Sequence, residues 1–301
     1  MAPRFSILRT DELNFERSHP LSEFYILSPC VWREAGRCHI LLRAVNRSDN
    51  PVLKVARIYY GSGTSGIDFV MDSEPVIAPG PEEDDRDGCE DPTLASEGGS
   101  YYVYYSGWNQ EKKVGQLLAA SGPDIHRLKK RGRVFADDAG FSNAKEATIV
   151  QAGDGTWRLF LEYAHDGKSK IGIAAAGALE GPWSFQEPLF EARPDSWDSW
   201  HLSTGPVSIV DPTAPVMFYN GATADAHWRI GWIEFDEYFT HVTDRCDEPV
   251  IAPPPSKREA EDTDIAFAAS AVERPGSPEI ELYYSIADRW VMRAILGRSA
   301  V

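Results

Sequence analysis

The sequence predicts an all-β chain folded as a five-bladed β-propeller. Three observations carry this: a fivefold internal repeat, strand-like runs of four to eight β-branched and aromatic residues, and almost no stretch with an amphipathic helical stripe. The repeat is clearest in five apolar segments that end in small or polar residues. They are "HILLRAVNR" from His39, "YYVYYSGWN" from Tyr101, "WRLFLEYAHD" from Trp157, "VMFYNGATAD" from Val216 and "IELYYSIAD" from Ile280. Aligned on Arg43, Tyr105, Glu162, Tyr219 and Tyr284, they recur about every 57 to 65 residues, a spacing typical of arrays and propellers.

The other strands follow from the same beat. A second apolar stretch comes after each copy: "VLKVARIYYG", "VGQLLAASG", "IGIAAAGAL", "RIGWIEF" and "WVMRAILG". "EPVIAP" occurs at Glu74–Pro79 and again at Glu248–Pro253, with "EPLFEA" at Glu187–Ala192 as a weaker relative. Proline is excluded from central strands, so these read as outer strands or connections. Twenty-four glycines and 21 prolines punctuate the runs. A two-sheet sandwich would explain the strands but not the period. The expectation is therefore one domain over residues 1–301, with four strands per blade and a central pocket.

Composition limits the partners. With 30 basic and 46 acidic residues the formal charge is −16, which argues against nucleic acid or an anionic membrane. No apolar run approaches the roughly 20 residues of a membrane helix. The N-terminal stretch, with Asp11, Glu12 and Glu16, does not read as a secretory signal. Four cysteines without a CxxC pair suggest neither a zinc site nor a disulfide framework, so a cytoplasmic protein with free thiols is expected. No metal or organic cofactor is indicated, and a homo-oligomer is left open.

In a propeller, polar residues at equivalent strand ends converge on the axis. After the five apolar copies come Arg43, Asn46 and Arg47, then Trp108 and Asn109, then Glu162, His165 and Asp166. Asn220, Asp225 and His227 follow in the fourth unit, Asp288, Arg289 and Trp290 in the fifth. A second set stands before the copies, in "CEDPTL", "NAKEATIV", "WDSWHLSTGPVSIV" and "DTDIAFAASAV". It supplies Glu90 and Asp91, Lys145 and Glu146, Trp200 and His201, and Asp262 and Asp264. Each residue alone is as well explained by a solvated turn. Together they describe a pocket for a carbohydrate, in which carboxylates and amides hold hydroxyls and Trp108, Trp200, Trp228 and Trp290 stack on sugar faces.

These segments resemble glycoside hydrolase family 130, the β-mannoside phosphorylases and β-mannosidases. "LLRAVNR" is similar to the family's first inner strand with its sugar-binding arginine, Arg43 here. "GCEDPTL" is similar to its Gly-x-Glu-Asp-Pro-Arg signature, and "NAKEATIV", "WHLSTGP", "VMFYNGA", "TDIAFAASAV" and "LYYSIAD" follow in the family's order. The resemblance implies a five-bladed propeller and inverting cleavage of a β-mannoside, with an oligosaccharide as partner. It also implies that Asp91 is the catalytic acid, relaying its proton through a sugar hydroxyl. General acid catalysis calls for a raised pKa at Asp91, to which Glu90 would contribute if both faced the pocket. Neighbouring strand residues, however, point to opposite faces.

Two departures bear on the nucleophile. Thr93 stands where the family has arginine, and Gly115 and Gln116 occupy a region that carries a phosphate-binding arginine in its phosphorylases. Lys145, His201 and Arg229 remain as donors for inorganic phosphate as a co-substrate. With water as nucleophile, Glu146, Glu162 and Asp264 are the candidate general bases. Two other classes fit the pattern less well: a furanoside hydrolase of the arabinanase type, with three separated carboxylates, and a glycan-binding propeller without catalysis.

Overall fold

The computed structural model describes residues 4–136, 142–253, 264–274 and 276–299. Twenty-four strands and four single 3-10 turns make up its regular structure, with no α-helix among the described residues. Among the described residues no helix is long and apolar enough to cross a membrane.

The strands form five successive antiparallel units. The first joins β3 (Tyr25–Glu34), β4 (Arg37–Val45), β5 (Ala56–Gly63) and β6 (Asp68–Ile77); β1 (Phe5–Glu12) and β2 (Asn14–Glu16) precede it. The second joins β7 (Gly88–Glu97), β8 (Ser100–Asn109), β9 (Val114–Gly122) and β10 (Lys129–Arg133). The third joins β11 (Ser142–Gln151), β12 (Trp157–His165), β13 (Lys168–Ala176) and β14 (Ser184–Gln186). In each of these three the tyrosine-rich or apolar copy read from the sequence is the second strand.

The fourth unit is split. β15 (His201–Ser203), β18 (Asn220–Ala222) and β19 (Trp228–Ile230) form one small sheet. β16 (Val207–Ser208), β17 (Val216–Met217), β20 (Ile233–Phe235) and β21 (Val242–Arg245) form another. Pro206 lacks an N–H for the ladder, and Gly205 runs so close to Phe218 that a Cβ there would meet its carbonyl oxygen at 1.8 Å. The fifth unit joins β22 (Ala266–Glu273), β23 (Ile280–Ile286) and β24 (Trp290–Arg298), and its fourth strand is β1 from the N-terminus. The repeat pattern assigns β1 to no unit. Its pairing with β24 ties the two ends of the described chain together.

The first two units are continuous as one curled nine-stranded sheet, because Ala56 bridges Gly88 in parallel and β2 adds to β6. The first strands touch in closed order: β3 with β7, β7 with β11, β11 with β16, β16 with β22 and β22 with β3. Apolar side chains fill the spaces between neighbouring units. Leu41, Val103, Tyr105 and Leu118 pack between the first and second, and Tyr104, Leu117, Leu159 and Leu161 between the second and third. Each such fully buried side chain contributes roughly 1.5–3 kcal/mol.

Candidate active site

Four of the first strands bend near their starts. Pairing register shifts between Leu27 and Cys30 in β3, Glu90 and Thr93 in β7, Lys145 and Ala147 in β11, and Ala268 and Ser270 in β22. In three of these bulges one residue takes a left-handed conformation: Ser28 (φ 51°), Asp91 (φ 48°) and Glu146 (φ 49°). Such a backbone costs on the order of 1–3 kcal/mol for a non-glycine residue and concentrates at functional sites.

The bulge in β7 overturns the alternation expected from the sequence. Glu90 and Asp91 are adjacent, yet both reach the Arg43 guanidinium. Nη1 donates to Asp91 Oδ1 at 2.9 Å, and Nη2 lies 2.8 Å from Glu90 Oε1. Ser28 Oγ donates to the same Asp91 oxygen at 2.6 Å, so two equivalent bulges meet. The third supplies Glu146, which is hydrogen-bonded to Asp91. Two carboxyls share such a bond only when one carries a proton.

Of the two, Glu146 is the one whose surroundings favour the protonated form. Burial and the charges of Asp91 and Glu162 push its pKa well above the ordinary value of 4.5. Burial also works against ionising Asp91, but Arg43, Ser28 and the Glu146 carboxyl outweigh it and hold Asp91 below the usual range. The expected raised pKa is therefore found one bulge away from Asp91. Burial and the Asp91 charge raise Glu90 as well.

Two cavities share Arg43 and Lys145. The first, which the propeller reading would put on the axis, is about 270 Å³ and is lined by Asp91, Glu146, Glu162, His201, Trp228 and Asp288 together with Ser28, Ser169 and Ser285. Glu162 is buried, accepts from Ser169 Oγ at 2.8 Å and lies 3.4 Å from Lys145 Nζ. Its charge is the main reason Lys145 is held firmly protonated. His201 Nδ1 accepts from the Ser169 N–H at 3.0 Å, so the ring N–H is at Nε2, and burial favours this neutral form. Trp228 stacks on His201 with ring centroids 5.8 Å apart. Burial raises the pKa of Asp288.

The second cavity, about 320 Å³, is lined by Glu90, Trp108, Lys54, Ser106, Gln110, Gly115 and Asn143. Three cations, Arg43, Lys54 and Lys145, face a single acid, Glu90. Gly115 is needed there: its N–H donates to Asn143 Oδ1 at 2.6 Å, and a Cβ would lie 2.8 Å from that oxygen.

Other expected site residues lie elsewhere. Asn46 stitches its own turn, donating to Leu53 O at 2.9 Å and accepting from Val55 N–H at 2.8 Å. Arg47 stacks over Tyr25 at 4.7 Å. Arg229 donates to His227 O at 2.8 Å and lies 3.8 Å from Asp264, which also pairs with His227. None of these four lines either cavity, because they stand away from the bulges that turn side chains inward. Trp200 is 38% exposed with Lys168 Nζ 4.0 Å above its ring. Trp290 packs against the apolar core instead of a cavity. Thr93 pairs with Tyr104 in the sheet, away from both cavities. Asp262 lies outside the described residues. Sequence reasoning missed Ser28, Ser169, Lys54 and Asn143. Ser28 had a signal: Ser28-Pro29 in β3 stands where Asp91-Pro92 stands in β7.

Comparisons with known proteins bear on the family and the fold. A family model described as beta-1,4-mannooligosaccharide phosphorylase, glycoside hydrolase family 130, matches residues 6–296. The 1,2-beta-oligomannan phosphorylase of Thermoanaerobacter sp. (strain X514) is 23% identical over 266 residues, 87% of this chain and 86% of that protein. Among solved structures, the beta-1,2-mannobiose phosphorylase of Listeria innocua with bound beta-1,2-mannobiose superposes with a TM-score of 0.77 at 18% identity. That match covers 99% of this chain and 95% of the other. A structure from work on family 130 hydrolases that target beta-1,2 mannosidic linkages in Candida mannan gives 0.75 at 21% identity, over 95% and 94% of the two chains. The chain belongs to glycoside hydrolase family 130, a family of glycoside-cleaving enzymes.

Proposed function

We propose that the protein is an inverting β-mannoside phosphorylase acting in the axial cavity, with inorganic phosphate held at the edge of the second cavity. The observation that carries this reading is the shared wall. Arg43 and Lys145 separate an acid-lined cavity, suited to a sugar ring, from a cation-lined one, suited to an oxyanion. Lys54, Gln110 and Asn143 stand in for the arginine missing at Gly115 and Gln116. The names of two relatives, an oligomannan and a mannobiose phosphorylase, support the same choice.

The proton comes from the Asp91–Glu146 pair. As a phosphate oxygen bonds to the anomeric carbon, the glycosidic carbon–oxygen bond breaks and the departing oxygen takes a proton from the pair. Hydrogen phosphate restores that proton, so the products are the sugar 1-phosphate and the shortened acceptor. Asp91 is the acid nearest the substrate and Glu146 its proton source. With phosphate as nucleophile, Glu162 serves to fix Lys145 and not as a base. Trp228 and His201 offer a flat face and an N–H to the ring.

The five units are, in this proposal, the blades of a single five-bladed propeller. The closed order of contacts between first strands supports it, as does β1 completing the last unit. The test of the activity is incubation with β-1,2- and β-1,4-linked manno-oligosaccharides, with and without phosphate. Sugar 1-phosphate with inverted anomeric configuration is expected. Free mannose released at the same rate without phosphate would make the enzyme a hydrolase.

A further inference from the structure

A third cavity, larger than either of these two, lies away from the catalytic pocket. It measures about 580 Å³, within the roughly 300–1,000 Å³ common for ligand sites. Its wall is built from Ser100 and Tyr102 at the start of β8, from Arg131 in β10, and from Leu179, Glu180 and Trp183 in the link between β13 and β14. Its lining shares no residue with either of the other two cavities.

Its chemistry is specific. Tyr102 and Trp183 supply partly exposed aromatic surface, and Trp183 is braced edge-on against the buried Tyr104 ring at 6.3 Å. Tyr104 OH is held by the Leu179 carbonyl and Tyr102 OH by Glu180, which fixes both rings. Arg131 Nε donates to Ser121 Oγ at 2.8 Å, and among the described residues no hydrogen bond engages its terminal N–H groups. Charge is nearly balanced: Arg131 offsets Glu180, and Arg133 is bound bidentately by Asp84. A neutral, rigid, aromatic-walled cleft with fixed donors and acceptors suits a pyranoside chain better than an anion or a charged peptide.

We infer that this cleft between the second and third units is a second carbohydrate site, which holds a neutral β-linked manno-oligosaccharide remote from the reacting end. Its choice of sugar rests on the proposed function; its geometry does not. The experiment is calorimetric titration of a β-1,2-linked mannohexaose into Asp91→Asn protein, alone and combined with Trp183→Ala or Arg131→Ala. Two sites per chain are expected, with the outer one weakened about tenfold or more by either added change. Arg131 is exposed, so its replacement tests the cleft without disturbing the core. One site that ignores both changes, or no binding at all, overturns the inference. One site lost with Trp183 supports the cleft while counting against the axial mannoside pocket.

Discussion

Arg43 Nη1 donates to Asp91 Oδ1 across 2.9 Å, from the second strand of the first unit to the first strand of the second. That bond keeps Asp91 ionised inside a cavity that also holds Glu146, Glu162 and Asp288. Without a fixed cation, four carboxyls around one cavity would protonate or repel one another.

Replacing Asp91 with Asn removes the proposed acid while keeping its shape. Turnover on manno-oligosaccharides is expected to fall by about 10²–10⁴, the usual worth of a general acid. The far-ultraviolet spectrum and sugar binding should be retained. A variant as active as the parent refutes the acid assignment.

Arg43→Met leaves Glu90 and Asp91 without their shared counter-charge. Breaking a buried pair in this way destabilises by about 3–5 kcal/mol, a loss readable as a lower urea midpoint. A shift below about 1 kcal/mol would mean that the carboxyls rearrange to find other partners.

The carboxyl pair sets a pH dependence. Glu146 has a folded pKa above its unfolded value, so its contribution to stability is complete below about 4.5 and is lost as pH rises through the raised folded value. Asp91 has the opposite sign: its contribution is present above its unfolded value and lost as pH falls through its lowered folded one. Glu146→Gln should therefore flatten the alkaline side of a stability–pH curve and leave the acid side in place. It should also remove the alkaline limb of the kcat profile. Identical profiles for variant and parent would place the proton elsewhere.

Lys54→Ala tests the second cavity alone, since Lys54 is exposed and lines that cavity but not the one that holds Asp91. The KM for phosphate is expected to rise about tenfold, the worth of one charge-assisted hydrogen bond, with the KM for the sugar nearly unchanged. Equal changes in both constants would argue that the two ligands share one pocket.

Much of this was legible in the chain because strand pattern is a local property. Alternating burial, proline at edges and a fixed period determined the all-β class, the apolar second strands, and the segments that begin the units. The Glu90-Asp91-Pro92 motif and its equivalents marked where chemistry collects. What the sequence left undecided were directions and partners. Asp91 and Glu90 share Arg43 only because a bulge breaks the two-residue alternation, and Lys54 reaches the second cavity from a turn with no motif of its own. Asn46 and Arg47 look equivalent to Arg43 in the string, but they fall past the end of β4. The protonated member of the carboxyl pair was likewise decided by tertiary structure. Burial and the distance to a cation set it, and both depend on contacts between units that lie some 50 residues apart in sequence.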